Sequence, residues 1–372
     1  MPLRVMVTGG AGFIGSRLTR RLAAEGHAVV VIDTFLPQVH GEAPPIPSDE
    51  VLRIDVRDEA RLRRAMRGVE VVHHLAAETG VGQSQYDIAR YVSVNTLGTA
   101  AVLQAAVEAG VGQVVLASSR AVYGEGSYRC RGCDSPVRLL GRDIEAMEAG
   151  QFDVRCPTCR GTCEYMPTPE EADLAATSVY GLTKVQQEQL AAHVARTHGI
   201  SLTVLRLFNV FGAGQSLRNP YAGVIGTFFR RLRAGLGLEL YEDGQMLRDF
   251  VPVNDVVDVF ARCTGNEVAF GKTWNVGTGA AVTLEELAST LADAMGVPLR
   301  AEISGRYRLG DVRHAVADVA RLRHDLGYEP SSDLSSGLKG FVQWALENEQ
   351  SAPDELAERE LRVRNILRAA KT

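Results

Sequence analysis

The sequence predicts an α/β fold: a doubly wound parallel sheet followed by a smaller α/β lobe and interrupted by a cysteine-rich insertion. Three observations predict it. Short runs rich in Val, Leu and Ile at 3–8, 28–32, 51–54, 69–75, 113–118 and 201–208 alternate with helical patterns at 13–25, 58–67, 86–109 and 175–199. Strands apolar on both faces and separated by helices read as a parallel sheet covered on each side. The turn Thr8-Gly9-Gly10-Ala11-Gly12-Phe13-Ile14-Gly15 joins the first strand to the first helix, where glycines let a backbone approach a pyrophosphate. Asp33 closes the second run, Ala28-Val-Val-Val-Ile32.

In chain order, Val5-Met6-Val7-Thr8 is the first strand, and Phe13, Ile14, Leu18 and Leu22 have helical spacing after it. The helix N-terminus turns its free N–H groups toward an anion, so this Rossmann-type unit is expected to hold a dinucleotide. Asp33 can accept hydrogen bonds from both adenosine ribose hydroxyls and would repel a 2'-phosphate, which favours NAD over NADP. Pro37 to Ser48 is a Pro-rich loop. The run Val114-Val-Leu-Ala-Ser118-Ser119 is a buried-strand pattern ending in hydroxyls, and the later helix carries Tyr180-Gly-Leu-Thr-Lys184. Beyond Phe208-Asn209-Val210 the pattern loosens: helices near 224–235, 253–263, 283–295 and 336–348, with strands near 237–241 and 272–276. The expected division is a dinucleotide domain over 1–210, interrupted by an insertion at 125–170, a substrate lobe over 211–350, and a helical tail over 351–372. The tail stripe Leu356, Leu361, Ile366 and Leu367 suits a surface helix, with an oligomer contact as the alternative.

The chain has 372 residues, 45% hydrophobic and 23% charged, with a net charge of -5. That balance gives no reason to expect nucleic acid or an anionic membrane as partner. A strand begins within a few residues of Met1 and no apolar run approaches a membrane span, so the cytoplasm is the expected location.

These residues resemble the extended short-chain dehydrogenase/reductase family, in particular its nucleotide-sugar 4-epimerases and dehydratases. Asp55-Val56 looks like the pair that reads adenine, Leu75-Ala76-Ala77 like the strand end under the cofactor, and Asn95 like the family's helix asparagine. Ser118-Ser119-Arg120-Ala121-Val122-Tyr123-Gly124 resembles the catalytic hydroxyl segment, and Phe208-Asn209-Val210-Phe211-Gly212 the sugar-contacting turn. Two segments, Gly244 to Val256 with Arg248 and Arg308 to His314 with Asp311, resemble the nucleotide-diphosphate clamp. The resemblance implies cofactor contacts at Gly9, Gly12, Phe13, Ile14, Gly15, Asp33, Asp55, Val56, Leu75, Ala76, Ala77, Asn95, Ser118, Tyr180 and Lys184. It implies substrate contacts at Ser119, Asn209, Tyr221, Arg248, Arg308 and Asp311, and a homodimer.

Oxidising a secondary alcohol needs a base for the hydroxyl proton and an acceptor for the hydride. Tyr180 is the expected base, ordinarily ionising near pH 10. Lys184, one helical turn away, and the nicotinamide ring are expected to lower that value. Ser119 would hold the sugar oxygen. Ser118 is the alternative, since successive strand residues point to opposite faces, but the family count of four back from Tyr123 selects Ser119. Where the family's 4,6-dehydratases have Asp and Glu after this hydroxyl, Arg120 and Ala121 stand here, so elimination lacks its acid and base. The decarboxylases' Glu is missing too.

The expected activity is therefore NAD-dependent inversion at C4 of a dTDP- or UDP-sugar through a 4-keto intermediate. A 4-ketoreductase, dehydrogenase or 4,6-dehydratase of the same substrates is the enzymatic alternative, and a cofactor-sensing regulatory protein the remote one.

Within the insertion, Cys130-Arg-Gly-Cys133 and Cys156-Pro-Thr-Cys159 approximate a zinc ribbon, each pair giving two thiolates to a tetrahedral ion. Structural zinc is the first reading and disulfides the competing one; Cys163 could replace a ligand, and Cys263 lies in a core pattern. The insertion could cover the active site or a subunit interface. Cysteine insertions occur in some members resembling dTDP-L-rhamnose 4-epimerases, which implies a 6-deoxysugar.

Overall fold

The computed structural model describes residues 1–40, 50–137, 139, 141–219, 221, 223–348 and 355–370. Its centre is a seven-stranded sheet in the order 273–276, 201–207, 113–119, 71–74, 4–8, 28–33, 52–53, with every neighbouring pair parallel. The order reverses between 4–8 and 71–74, and the crevice at the strand ends there is where such sheets bind ligands. Valine-rich strands need cover on both faces. Leu18, Leu22, Val256, Val259 and Phe260 fill one side, and Leu62, Met66, Val102, Ala106, Ala191 and Ala195 the other.

The strand Thr273–Val276 pairs with Ser201–Leu207, and the helix Val253–Cys263 belongs to the same core layer as Leu18 and Leu22. A boundary at 210 therefore does not follow the sheet. Residues 224–240 and 284–345 build their own core around Phe228, Phe229, Leu287, Leu291 and Phe341.

The stretch expected as one helix over 86–109 is three pieces: Ile88–Tyr91, a widened π-type turn Val92–Leu97, and Gly98–Ala109. Such turns arise where a side chain must be re-aimed. Here Asn95 takes Glu78 N–H at 2.8 Å and donates to Thr183 Oγ1 at 2.9 Å. The catalytic-type helix starts later than expected, at Val179, because the Ser178 side chain caps it by accepting from Gly181 N–H at 3.0 Å. Within the expected loop 37–48, Pro37–His40 forms one helical turn, and the remainder lies outside the described residues.

The tail is no detached surface helix. Glu355–Val363 is helical and Leu367–Ala369 pairs antiparallel with Arg306–Arg308. Leu361, Ile366 and Leu367 are buried; the side chain of Leu356 lies outside what is described.

Candidate active site

The glycine turn is shaped by close approach. Gly9 has φ 66°, and a Cβ there would lie 2.9 Å from Ala76 Cα, while one on Gly15 would lie 2.2 Å from Gly9 O. Any larger residue would push the turn off the strand end and close the space a pyrophosphate needs. Thr8 Oγ1 accepts from Leu75 N–H at 3.2 Å and Ala76 N–H at 3.1 Å, so the two strand ends under the turn are tied together, with Ala77 following at the partly exposed rim. Behind them His74 bridges Thr8 (2.7 Å) and Thr99 (2.9 Å). Burial first, then the charge of Lys184, lower its pKa to about 3, so it serves as a neutral bridge.

Asp33 sits at the expected strand end. It accepts from Ala11 N–H at 3.1 Å and Phe35 N–H at 2.9 Å, with His40 Nε2 3.3 Å away. Burial works to raise its pKa, but the bonds from His40, Phe35 and Ala11 outweigh it and leave the value lowered. Asp55 is held by Arg57 through two oxygens, at 2.9 and 2.6 Å. Val56 is buried under Gly98, whose added Cβ would meet it at 2.6 Å. These residues would fit NAD: a tight glycine cradle at the strand end, a carboxylate fixed at Asp33 and an apolar side chain at Val56.

Ser119 lies beside Tyr180, near enough to act on the phenol's ionisation, and its Oγ accepts from Ala121 N–H at 3.2 Å. Burial raises the Tyr180 pKa, and Ser119 and the charge of Arg120 offset this only in part, so that the value stays raised. This corrects the expectation for Lys184. Its Nζ donates to Ala117 O at 3.0 Å and stands 6.0 Å from the Tyr180 ring centre, and burial lowers its own pKa to about 7, against the pull of Glu188. The phenol's helix is positioned by groups that no motif flagged: Tyr180 N–H donates to Ser84 Oγ at 3.0 Å, and Tyr91 packs edge-on to its ring at 6.4 Å.

Two residues expected at the cofactor face elsewhere. The Ser118 hydroxyl donates to Glu188, which also pairs with Arg206 at 2.7 Å. It points away from Ser119, as strand alternation requires. Asn95 is fully buried and acts through Glu78 and Thr183, whose hydroxyl donates to Tyr180 O at 2.8 Å.

A cleft of about 510 Å³ runs from Phe13 and Arg120 past Asn209 and Tyr221 to Arg248, Arg308 and Asp311. Of the two arginines expected on a diphosphate, Arg308 stacks 4.7 Å over Tyr241 with Nε unpartnered. Arg248 is committed: Nη1 donates to Leu247 O and Arg313 O at 2.8 and 3.1 Å, and Nη2 to Asp311 Oδ1 and Val312 O at 3.0 and 2.8 Å. It braces the clamp, with only Nε left for a ligand. The phenol oxygens of Tyr221 and Tyr86 lie 2.6 Å apart, and both phenols donate to Glu360 of the tail, which thus closes one wall.

In the insertion, Ser127–Cys130, Ser135–Val137 and Cys163–Met166 form a small antiparallel sheet. The sulfurs of Cys130, Cys133, Cys156 and Cys159 lie within 4.8 Å of one another. All six cysteines are free, so disulfides do not hold this module. Cys163 is outside the cluster, and Cys263 is buried in the core. The module packs on the clamp rather than lining the cleft. His314 lies 6.0 and 5.4 Å from the rings of Tyr128 and Tyr165, and Arg142 donates to Asp311 O at 3.1 Å.

Fold and cleft define a nucleotide-cofactor enzyme of a known kind. The family model described as the NAD dependent epimerase/dehydratase family matches residues 5–138 and 154–277, and the chain belongs to that family. It is 36% identical to dTDP-L-rhamnose 4-epimerase of Burkholderia thailandensis, over 92% of this chain and 94% of that one. It is 32% identical to UDP-glucose 4-epimerase of Mycolicibacterium smegmatis, over 92% and 98% respectively. Among solved structures, MoeE5 in complex with UDP-glucuronic acid and NAD superposes with a TM-score of 0.74 at 30% identity, over 93% of this chain and 99% of that one. Among the described residues no helix is long and apolar enough to cross a membrane.

Proposed function

We propose that this protein is an NAD-dependent 4-epimerase of a dTDP- or UDP-sugar. The observation that carries the reading is that Ser119 stands beside the Tyr180 phenol, with Arg120, the next residue, lining the cleft. Ser119 holds the C4 oxygen and Tyr180, as phenolate, takes its proton. NAD, held by the glycine turn and Asp33, would supply the hydride acceptor and donor at C4, so that no cofactor would be consumed. Tyr180 gives the proton back once the 4-keto sugar has turned its other face. Lys184, one turn away with its Nζ on Ala117 O, would hold the ribose of the cofactor beside the phenol. Ala121 offers no carboxylate for elimination, which separates this reading from the dehydratases found among the relatives.

Three finer points belong to the same reading. The likeness to the dTDP-L-rhamnose enzyme favours a dTDP-6-deoxysugar. Four converging thiolates suit structural zinc with its coordination sphere filled. Backbone N–H groups support two of the sulfurs, Cys133 N–H to Cys130 Sγ at 3.3 Å and Gly161 N–H to Cys159 Sγ at 3.4 Å. A cytoplasmic homodimer is the assembly proposed.

Incubation with a panel of dTDP- and UDP-sugars, read by NMR for inversion at C4 without added cofactor, tests the activity. A strict requirement for added reduced cofactor would instead identify a ketoreductase. Metal analysis with chelation tests the zinc: one ion per chain is expected, and a melting temperature and activity unchanged after full removal would exclude a structural role.

A further inference from the structure

Arg120 follows Ser119 directly, opens the turn Arg120–Tyr123 and lines the cleft. At sequence level it counts only as a missing acid. Among the described residues nothing accepts a hydrogen bond from its guanidinium and no carboxylate lies within ion-pair distance. That contrasts with Arg248, whose Nη hydrogens are consumed by Leu247, Asp311, Val312 and Arg313. Burial lowers the Arg120 pKa to about 10, the charge of Arg248 adds to this, and Asp311, Glu125 and Tyr180 act against it. Asp311 is already bonded to Arg248 at 3.0 Å. The cleft therefore holds a half-buried cation without a hydrogen-bond or ion-pair partner among the described residues, a partner that a ligand anion can supply.

Its neighbours give its place. Arg120 follows Ser119 and lines the same cleft as Arg248, Arg308 and Asp311, and the charges of Tyr180, Arg248 and Asp311 all act on it. On the nucleotide-sugar reading above, on which this inference rests, Tyr180 marks the reacting C4, and Arg248 and Asp311 the diphosphate clamp. The geometry points to Arg120 as a specificity-determining residue that pairs with an anionic oxygen of the substrate. Two groups offer one: the sugar-proximal phosphate, or a carboxylate on the sugar. With Arg248 bracing the clamp, Arg120 and Arg308 are guanidiniums of this cleft open to such an anion, and an uncharged group in that place would leave Arg120 unpaired.

The test is calorimetric binding of UDP, dTDP, UMP, UDP-glucose and UDP-glucuronate to wild type, Arg120→Gln and Arg120→Lys, with folding checked by circular dichroism. If the phosphate is the partner, Arg120→Gln weakens UDP or dTDP about ten-fold or more, the scale of a charge-assisted bond, and changes UMP less than about two-fold. A loss confined to UDP-glucuronate assigns the carboxylate and supports the inference equally. Arg120→Lys, a point charge without the fork, should lose at least about three-fold on the same probes. Unchanged affinity for every probe in folded Arg120→Gln overturns the inference; if that variant does not fold, unchanged affinity in Arg120→Lys does so. A wild type that binds no probe would instead sink the nucleotide-sugar reading, and this inference with it.

Discussion

Replacing Arg142 by Ala should uncouple the cysteine module from the substrate clamp. The Arg142 side chain is 5% exposed, with Nε 3.2 Å from Glu125 and Nη1 2.7 Å from Glu242. Its Nη2 holds the main-chain carbonyl of Asp311 at 3.1 Å. After the substitution Glu242 keeps Arg313 at 3.0 Å, but Glu125 keeps only the Arg313 N–H at 2.9 Å. Removing one partner of a buried pair costs about 3–5 kcal/mol, because a desolvated charge is left behind. At roughly 2–4 °C per kcal/mol, the melting temperature should fall by roughly 6–20 °C. Burial already raises the pKa of Glu125, so Glu125→Gln in the same chain should restore about 1–2 kcal/mol by removing that orphaned charge. Scanning calorimetry reads the stability and steady-state assays read the clamp, where KM should rise more than kcat falls. A single variant melting within about 1 °C of wild type, or a double variant no better than the single, would refute the coupling.

Three further outcomes follow. Asp33→Ala removes the acceptor for the ribose hydroxyls and should weaken NAD roughly 10- to 100-fold while improving NADP relative to it, measured by fluorescence titration. Glu360→Ala removes the carboxylate shared by Tyr86 and Tyr221 and should expose the tail to limited proteolysis and raise KM, with an unchanged cleavage rate arguing against a wall at the cleft. Burial lowers Lys184 from 10.5 to about 7, so the folded protein gains stability as pH rises from about 7 to 10.5 and bears the full burden of the buried charge below 7. Lys184→Met should therefore raise the melting temperature more at pH 6.5 than at pH 9.5, and an equal shift at both would contradict it.

Motifs whose geometry is local were legible in the sequence. The glycine turn, Asp33 and the Tyr180/Lys184 spacing depend on one strand end or one helical turn, and each stands where its pattern places it. Strand alternation left two choices, Ser118 and Ser119, and it was the family resemblance, counting back four from Tyr123, that selected Ser119; the structure turns Ser118 to Glu188. Less was legible where partners lie far apart in the chain. Arg248 carries a clamp motif, but its hydrogen bonds go to residues 311–313, and no spacing rule says that a guanidinium is already spent. The widened turn at Asn95 answers to Thr183, and the tail docks on Tyr86 and Tyr221 through contacts that a thin apolar stripe cannot specify. The strand 273–276 reads as part of the lobe because its neighbour in the sheet, 201–207, precedes the whole intervening segment.

The phenol of Tyr180 is the group on which the chemistry rests. Tyr180→Phe keeps the ring, its packing on Tyr91 and the helix cap at Ser178, and deletes only the proton carrier beside Ser119. C4 inversion followed by NMR should slow by about 10²–10⁴-fold, with NAD affinity within about two-fold of wild type. Turnover within a few-fold of wild type would contradict the account.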